Sequence, residues 1–339
     1  MTGKKRILTL LILSLFVYAW YLFFYTRENP VVVQVTPVTN NLTLFVQPES
    51  GSQFVLDEIN NAKKEVLVEV YLLSDKDVIS SLENAEIRGI NVEVMMEQHP
   101  FGGGGLNPKT KSELESHHVK VQWSNPAFAL THEKSILIDD SVALILTQNL
   151  TLSSFTKNRE YDIVDKNQKD VDEIRNIFIN DWNRTNFIPS INNIIESPNT
   201  SRPALTSLIN SAQKEIDIEV EDINDKAITS LLISESKIAK VKLIVPPIKT
   251  ISSNAKSVNL LVDSGIQVKT ISTPYIHAKL ILIDNKNAYL GSINFSSQSL
   301  DENRELGIII SQSNIIQNLV SVFNADWEKG ILLTSQSAN

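Results

Sequence analysis

Apolar and polar positions fall into blocks along the chain, and the blocks recur. A helical stripe of apolar residues closes near Asn60, and a short apolar run over Val66–Leu72 reads as a strand. A second helix leads to a strand over Asn91–Met96. Then come a strand in "HEKSILIDD", another over Ala143–Thr147, and a closing helix that ends at Asp181-Trp182. The succession returns with a stripe ending near Asn210, strands over Ile216–Val220 and Val241–Val245, "HAKLILIDN", Ala288–Ser292, and a helix ending at Asp326-Trp327. Strands alternating with helices predict an α/β sheet covered on both faces, made twice.

The two copies also share polar identities. "INNAKKEVLVEVYLLSDK" from Ile59 aligns with "INSAQKEIDIEVEDINDK" from Ile209 at an offset of 150, which also relates Pro48 to Pro198. Beyond the Phe101–Gly105 "FGGGG" stretch the offset becomes 145. It relates His132 to His277, Asn158-Arg159-Glu160 to Asn303-Arg304-Glu305, and Phe178 and Trp182 to Phe323 and Trp327. Duplication of a scaffold explains the apolar matches. The polar ones call for chemistry, and pseudo-twofold packing of the copies would bring equivalent motifs together.

The first 30 residues stand apart. Lys4, Lys5 and Arg6 precede an uncharged run, Ile7–Thr26, about long enough to span a bilayer as a helix. The positive end places the N-terminus in the cytoplasm and the remainder outside the cell membrane, as a single-pass protein. No small-x-small cleavage pattern directly follows the run, so a retained anchor is expected rather than a removed signal peptide. The expected organisation is an anchor over residues 1–30, a first repeat over 31–190 and a second over 191–339.

Charge narrows the partners. The chain carries 31 basic and 39 acidic residues; the first 30 hold four of the former and one of the latter. The remainder has 27 against 38, a net charge of −11. That balance disfavours non-specific nucleic-acid binding and general attraction to anionic lipid. The absence of cysteine removes disulfides and thiolate metal sites.

The recurrent polar set has a fixed spacing. The second copy reads His277-x-Lys279, four residues, Asp284, six residues, Gly291-Ser292-x-Asn294; the first reads His132-x-Lys134, Asp139, and Leu146-Thr147-x-Asn149. A strand's period of two puts each histidine and lysine on one face. Facing repeats would then gather two histidines, two lysines and two asparagines in one pocket. Lysines and amides can hold the non-bridging oxygens of a phosphodiester. One imidazole can attack phosphorus and the other can move the leaving-group proton. Glu160 and Glu305 could each hold the second nitrogen of an imidazole and fix its tautomer.

These residues resemble the phospholipase D superfamily, whose signature H-x-K-x4-D-x6-G-S-x-N occurs twice, and the resemblance covers about residues 45–330. The second copy matches in full; the first departs at Leu146 and Thr147. The resemblance implies two phospholipase D-like α/β/α sandwich halves and a phosphohistidine intermediate needing no metal or other cofactor. It places His132, Lys134, His277 and Lys279 in catalysis, with His132 as the nucleophile. Asp139 and Asp284 belong to the motif but rank lower. Asn149 and Asn294, with Thr147 and Ser292, would bind the substrate phosphate.

Other features carry less. His99 could line the pocket mouth. His117 and His118 read as a solvated helix end rather than a metal site. Gly102–Gly105 lack the residues of a phosphate loop and read as a mobile loop near substrate. Tyr71 could border the site or pack in the core. Trp182 and Trp327 read as packing anchors. The Asn-x-Ser/Thr triplets include both motif asparagines, which points to a prokaryotic origin. The expected function is a membrane-anchored phospholipase D or a phosphatidyltransferase of the cardiolipin synthase type, with a phospholipid substrate. A nuclease of the same superfamily is the alternative, and a non-catalytic lipid- or nucleic-acid-binding protein the third reading. Oligomeric state is not legible.

Overall fold

The computed structural model describes residues 41–187, 189 and 193–334, which lie within the compact unit formed by residues 33–339. The apolar run Ile7–Thr26 therefore lies outside the described residues. Among those described, no helix is long and apolar enough to cross a membrane.

Sixteen strands are described, in two eight-stranded mixed sheets. The first contains β1 (Leu42–Gln47), β2 (Glu65–Val70), β3 (Asn91–Met96), β4 (Lys120–Trp123), β5 (Lys134–Ile138), β6 (Val142–Leu146) and β7 (Asn158–Asp165). The second contains β8 (Ile194–Ser197), β9 (Glu215–Val220), β10 (Lys240–Val245), β11 (Gln267–Thr270), β13 (Lys279–Ile283), β14 (Asn287–Gly291), β15 (Glu305–Ile310) and β16 (Ile331–Leu332). Their orders are β1-β7-β6-β5-β2-β3-β4 and β16-β11-β10-β9-β13-β14-β15-β8. The eighth strand of the first sheet is β12 (Tyr275–Ile276), which comes from the second half of the sequence and pairs in parallel with Asn158-Arg159 of β7. Strands β1, β4, β8 and β11, short or only partly buried, were not marked by the sequence pattern, and neither were the buried β7 and β15.

The central strands β5 and β13 are buried on both faces, so Ile136–Ile138 and Leu280–Ile283 read as continuous apolar runs instead of alternating ones. The outer faces pack under helices such as Gln53–Asn61 and Lys76–Ile87 in the first half, and Ser201–Asn210 and Lys226–Glu235 in the second. The inner faces share one core with the closing helices Gln168–Asn183 and Ser313–Lys329: Leu137, Ile145, Ile163 and Phe178 meet Leu280, Leu290, Ile308 and Phe323. Phe178 stacks on Trp182, and Phe323 on Trp327.

Buried ion pairs repeat the exchange between halves. Arg159 Nε lies 2.5 Å from Asp326 Oδ2, and Arg304 Nε lies 2.7 Å from Asp181 Oδ2. The offset of 145 converts each pair into the other.

Candidate active site

The histidines are not strand residues. Strand β5 begins at Lys134 and β13 at Lys279, so each histidine stands two residues before its strand. The expectation that His and Lys share a strand face is thereby corrected. The backbone around each histidine is recruited by the opposite half instead. His132 N–H donates to the Arg304 carbonyl at 2.8 Å, and His277 N–H donates to the Arg159 carbonyl at 3.3 Å. The strand thus mounts the lysine, and the interface between halves mounts the histidine.

The same crossing sets the imidazoles. Nδ1 of His132 lies 2.9 Å from Glu305, and Nδ1 of His277 lies 2.7 Å from Glu160. Both carboxylates are fully buried. A carboxylate at Nδ1 fixes that nitrogen as the proton-bearing one in a neutral ring, and leaves Nε2 for chemistry. Glu160 is oriented by the Thr147 hydroxyl at 2.8 Å and the Asn158 amide at 3.1 Å. Glu305 accepts from the Ser299 hydroxyl and from the Asn303 amide.

Both lysines are buried, and each donates to the carbonyl of its own histidine, Lys279 at 2.6 Å. Lys134 lies over the Tyr71 ring, 5.3 Å from its centroid, and the same ring stands edge-on to His132 at 4.8 Å. Tyr71 therefore borders the site, and its hydroxyl accepts the Phe101 N–H at the start of the glycine-rich stretch.

Burial pushes His132 down to about 4, with Lys134 and Lys279 adding to the effect against the pull of Glu305. Burial likewise pushes Lys134 down to about 7, and Lys279 reinforces it. Burial alone would raise Glu305, but His132, Lys134 and the Ser299 hydroxyl hold it below the usual carboxylate range. Lys279 acts on both first-half groups, so the two halves share one electrostatic site. Around neutral pH His132 is a free base beside cationic groups, the state a nucleophile for phosphorus requires.

Several motif residues do other work. Asp139 accepts the backbone N–H groups of Lys63, Lys64 and Glu65 at 2.7, 2.6 and 3.1 Å. Asp284 does the same for Gln213, Lys214 and Glu215. Four strand residues separate each from its lysine, about 16 Å of travel over five steps. Both open three-residue hairpin loops at positive φ (55° and 54°), where Asp and Asn are favoured. They are turn and strand anchors, which corrects their placement in catalysis.

Thr147 and Ser292 do not face a phosphate either. Thr147 is spent on Glu160 and on the Tyr161 N–H, and Ser292 on the carbonyl and N–H of Leu306. The Asn149 side-chain oxygen is buried and accepts no hydrogen bond among the described residues, while that of Asn294 accepts the Asp222 N–H at 3.3 Å. The departure at Leu146 has a packing origin. Its counterpart Gly291 pairs with Gly307, and a Cβ there would collide with Gly307 and the Leu306 carbonyl. Leu146 pairs instead with Asp162 and is buried in the first-half core.

His117 ends a helix with Nδ1 3.1 Å from Glu83, and His99 sits just past β3, its N–H donating to Glu97. No cluster of His, Asp and Glu suited to a metal ion occurs among the described residues.

Two kinds of site residue escaped the sequence reading. Asn107 donates to the carbonyls of Tyr71 and Glu97 and accepts the Leu73 N–H, fixing the chain just past β2. Asn254 holds Glu221 and Ile223 in the same way. Their offset is 147, so neither repeat alignment found them. Glu221 itself lies 3.1 Å from Lys279 Nζ and 3.3 Å from His277 Nε2, and accepts the Tyr275 hydroxyl at 2.9 Å. Its alignment with Tyr71 was the available signal.

Two sheets, the first taking a strand from the second half, with a histidine, a lysine and a crossed carboxylate from each half, define a two-repeat phospholipase D-like protein. The family model described as "Cardiolipin synthase, PLD-like domain" matches residues 55–182 and 205–327, and the chain belongs to this family. Cardiolipin synthase 1 of Staphylococcus epidermidis (strain ATCC 35984) is 23% identical over 355 residues, covering 88% of this chain and 70% of that protein. Phospholipase D of Rickettsia prowazekii (strain Madrid E) is 24% identical over 132 residues, covering 39% of this chain. The chain spans 62% of the length of that relative. Among solved structures, phosphatidylserine synthase of Haemophilus influenzae Rd KW20 shares the fold, with a TM-score of 0.65 at 14% identity over 88% of this chain and 89% of that one.

Proposed function

We propose that the chain is a phosphodiesterase or phosphatidyltransferase that acts on phospholipids through a phosphohistidine. The observation that carries this reading is the pair of imidazoles, each held at Nδ1 by the other half's carboxylate, beside two buried lysines. Nε2 of His132 attacks phosphorus, and the bond from phosphorus to the leaving alcohol breaks. His277, carrying protons on both ring nitrogens between Glu160 and Glu221, gives its Nε2 proton to that alcohol oxygen. His277 then takes a proton from water or an acceptor alcohol. That oxygen attacks phosphorus and breaks the phosphorus–nitrogen bond, restoring His132. Lys134, Lys279 and the amides of Asn149 and Asn294 offset charge on the non-bridging oxygens. Water as acceptor gives the phospholipase D outcome; a second lipid's hydroxyl gives the cardiolipin synthase outcome.

The family and the relatives named phospholipase D and cardiolipin synthase support a lipid substrate. The uncharged run Ile7–Thr26 supports a single-pass anchor with the catalytic part outside the cytoplasm. The net charge of −11 beyond residue 30 weighs against nucleic acid.

The test is incubation of the purified full chain with phosphatidylglycerol vesicles, and separately with single-stranded DNA, in EDTA. His132→Ala and His277→Ala serve as controls. Lipid turnover that both variants lose supports the reading, and product identity separates hydrolysis from transfer. DNA cleavage with intact lipid overturns it in favour of a nuclease.

A further inference from the structure

The two halves differ at one position that faces the pocket. Tyr71 and Glu221 are related by the offset of 150 and stand just past β2 and β9. Asn107 and Asn254 hold their carbonyls at 2.8 Å each. The same backbone position thus presents a neutral ring to Lys134 in one half and a carboxylate to Lys279 in the other.

One Glu221 oxygen lies between Lys279 Nζ, at 3.1 Å, and His277 Nε2, at 3.3 Å. An oxygen shared by a lysine ammonium and the reactive imidazole nitrogen stands where a non-bridging phosphate oxygen would bind. The other oxygen is engaged by the Tyr275 hydroxyl. Against burial, His277 and Lys279 hold Glu221 down at about 2, so it is an anion at any working pH. The first half has no such occupant: Lys134 donates to a carbonyl, and the Asn149 oxygen is unengaged among the described residues.

We infer that Glu221 is a specificity-determining residue: it holds the anion place of the second half, so the pocket takes singly charged phosphodiesters and rejects doubly charged phosphomonoesters. The inference rests on the reading of the pocket as a phosphodiester site. The carboxylates facing it are Glu160, Glu221 and Glu305, and the cationic groups are Lys134, Lys279 and the His277 ring in its proton-donating form. A diester places one further charge there, on the first-half donors. A monoester dianion places two, and its second charge must either meet the Glu221 carboxylate or displace it from Lys279. At the separations inside such a pocket, one unit of like charge is enough to change affinity by about tenfold or more.

The experiment is equilibrium binding to the full chain, followed by calorimetry or 31P NMR, at about pH 7. The probes are dimethyl phosphate, a monoanion, and methyl phosphate, which is mostly dianionic there because its second ionisation lies near about pH 6. The wild type should prefer dimethyl phosphate. Glu221→Gln, and Glu221→Tyr as the first-half equivalent, should bind methyl phosphate about tenfold tighter or better, with a smaller change for dimethyl phosphate. Equal wild-type affinity for the two probes overturns the inference, as does unchanged methyl phosphate binding in a folded Glu221→Gln protein. Should both variants fail to fold, the wild-type comparison decides alone. Neither arm uses lipid, so failure to turn over phospholipid would count against the substrate reading only.

Discussion

Glu305 lies 2.9 Å from Nδ1 of His132, although the two residues are 173 positions apart and belong to different repeats. Glu160 stands in the same relation to His277 at 2.7 Å. Neither motif histidine meets its Nδ1 carboxylate within its own half. The catalytic unit is therefore the pair of halves, which explains why the backbone beside each histidine is also bonded across the interface.

Replacing either carboxylate by the amide should impair the imidazole it touches and no other. Glutamine can offer its oxygen or its NH2 to Nδ1, so tautomer and ring orientation are no longer fixed. Glu305→Gln and Glu160→Gln should each lower kcat by about 10²–10⁴-fold. Proton NMR of the ring N–H groups checks the crossing. The His132 Nδ1 resonance should be lost in Glu305→Gln, and that of His277 in Glu160→Gln. Loss within the same repeat would contradict the geometry.

The reciprocal arginines should matter for assembly more than for chemistry. Arg159 and Asp326 are almost wholly buried, and removing Arg159 leaves the Asp326 carboxylate with the more exposed Lys329 as its cationic partner. Arg159→Met should cost about 3–5 kcal/mol in urea unfolding. Adding Asp326→Leu should recover part of that loss, because the buried carboxylate is removed with its arginine. A double variant no more stable than the single one would show that Arg159 acts through Gln47 and Glu49 instead.

The sequence carried the architecture because the repeat preserved polar identities along with apolar period. Strands β2, β3, β9 and β10 fall within two residues of their expected bounds, and Glu160 and Glu305 do hold imidazoles. The crossing was not legible, since an alignment of the copies is blind to which partner each residue chooses in space. Thr147 and Ser292 were misplaced because a hydroxyl in a motif looks alike whether it meets phosphate or a buried carboxylate. Glu221 was passed over because it continues an acidic strand pattern, "EVED", in which Glu219 is a core residue bonded to Tyr161.

Asp139 provides a way to separate stability from catalysis. Three backbone N–H groups and Lys64 hold its carboxyl below the usual range, although burial opposes them. A depressed native value means that its contribution is present above about pH 4 and is lost as pH falls through the native value. Asp139→Asn keeps a residue that tolerates positive φ and weakens only the acceptor. It should lower unfolding free energy by about 1–3 kcal/mol at neutral pH, with the gap to wild type closing in acid. The kcat of the folded protein should change less than about threefold, in contrast to Lys134→Ala, which removes a charge from the site. A large kcat loss at unchanged stability would return Asp139 to the catalytic set.

The pH dependence of kcat/KM reports the free protein, and His132 and Lys134 bear on its two limbs alongside the proton that His277 must carry. His132 must be neutral to attack, and burial with two nearby lysines has brought it down to about 4. Activity should therefore persist as pH falls through 6.5, the ordinary histidine value, and decline only toward about 4. Lys134 must be charged to stabilise the phosphoryl oxygens, and it titrates at about 7, so activity should decline as pH rises through that value. The profile on a soluble diester such as bis(p-nitrophenyl) phosphate should be a bell between these limits. Lys134→Arg retains its charge at every accessible pH and should change the position of the alkaline limb, whatever its effect on the plateau. An acid limb centred at 6.5 would mean that the attacking imidazole is not the buried His132. An alkaline limb unchanged in Lys134→Arg would move that titration to another group.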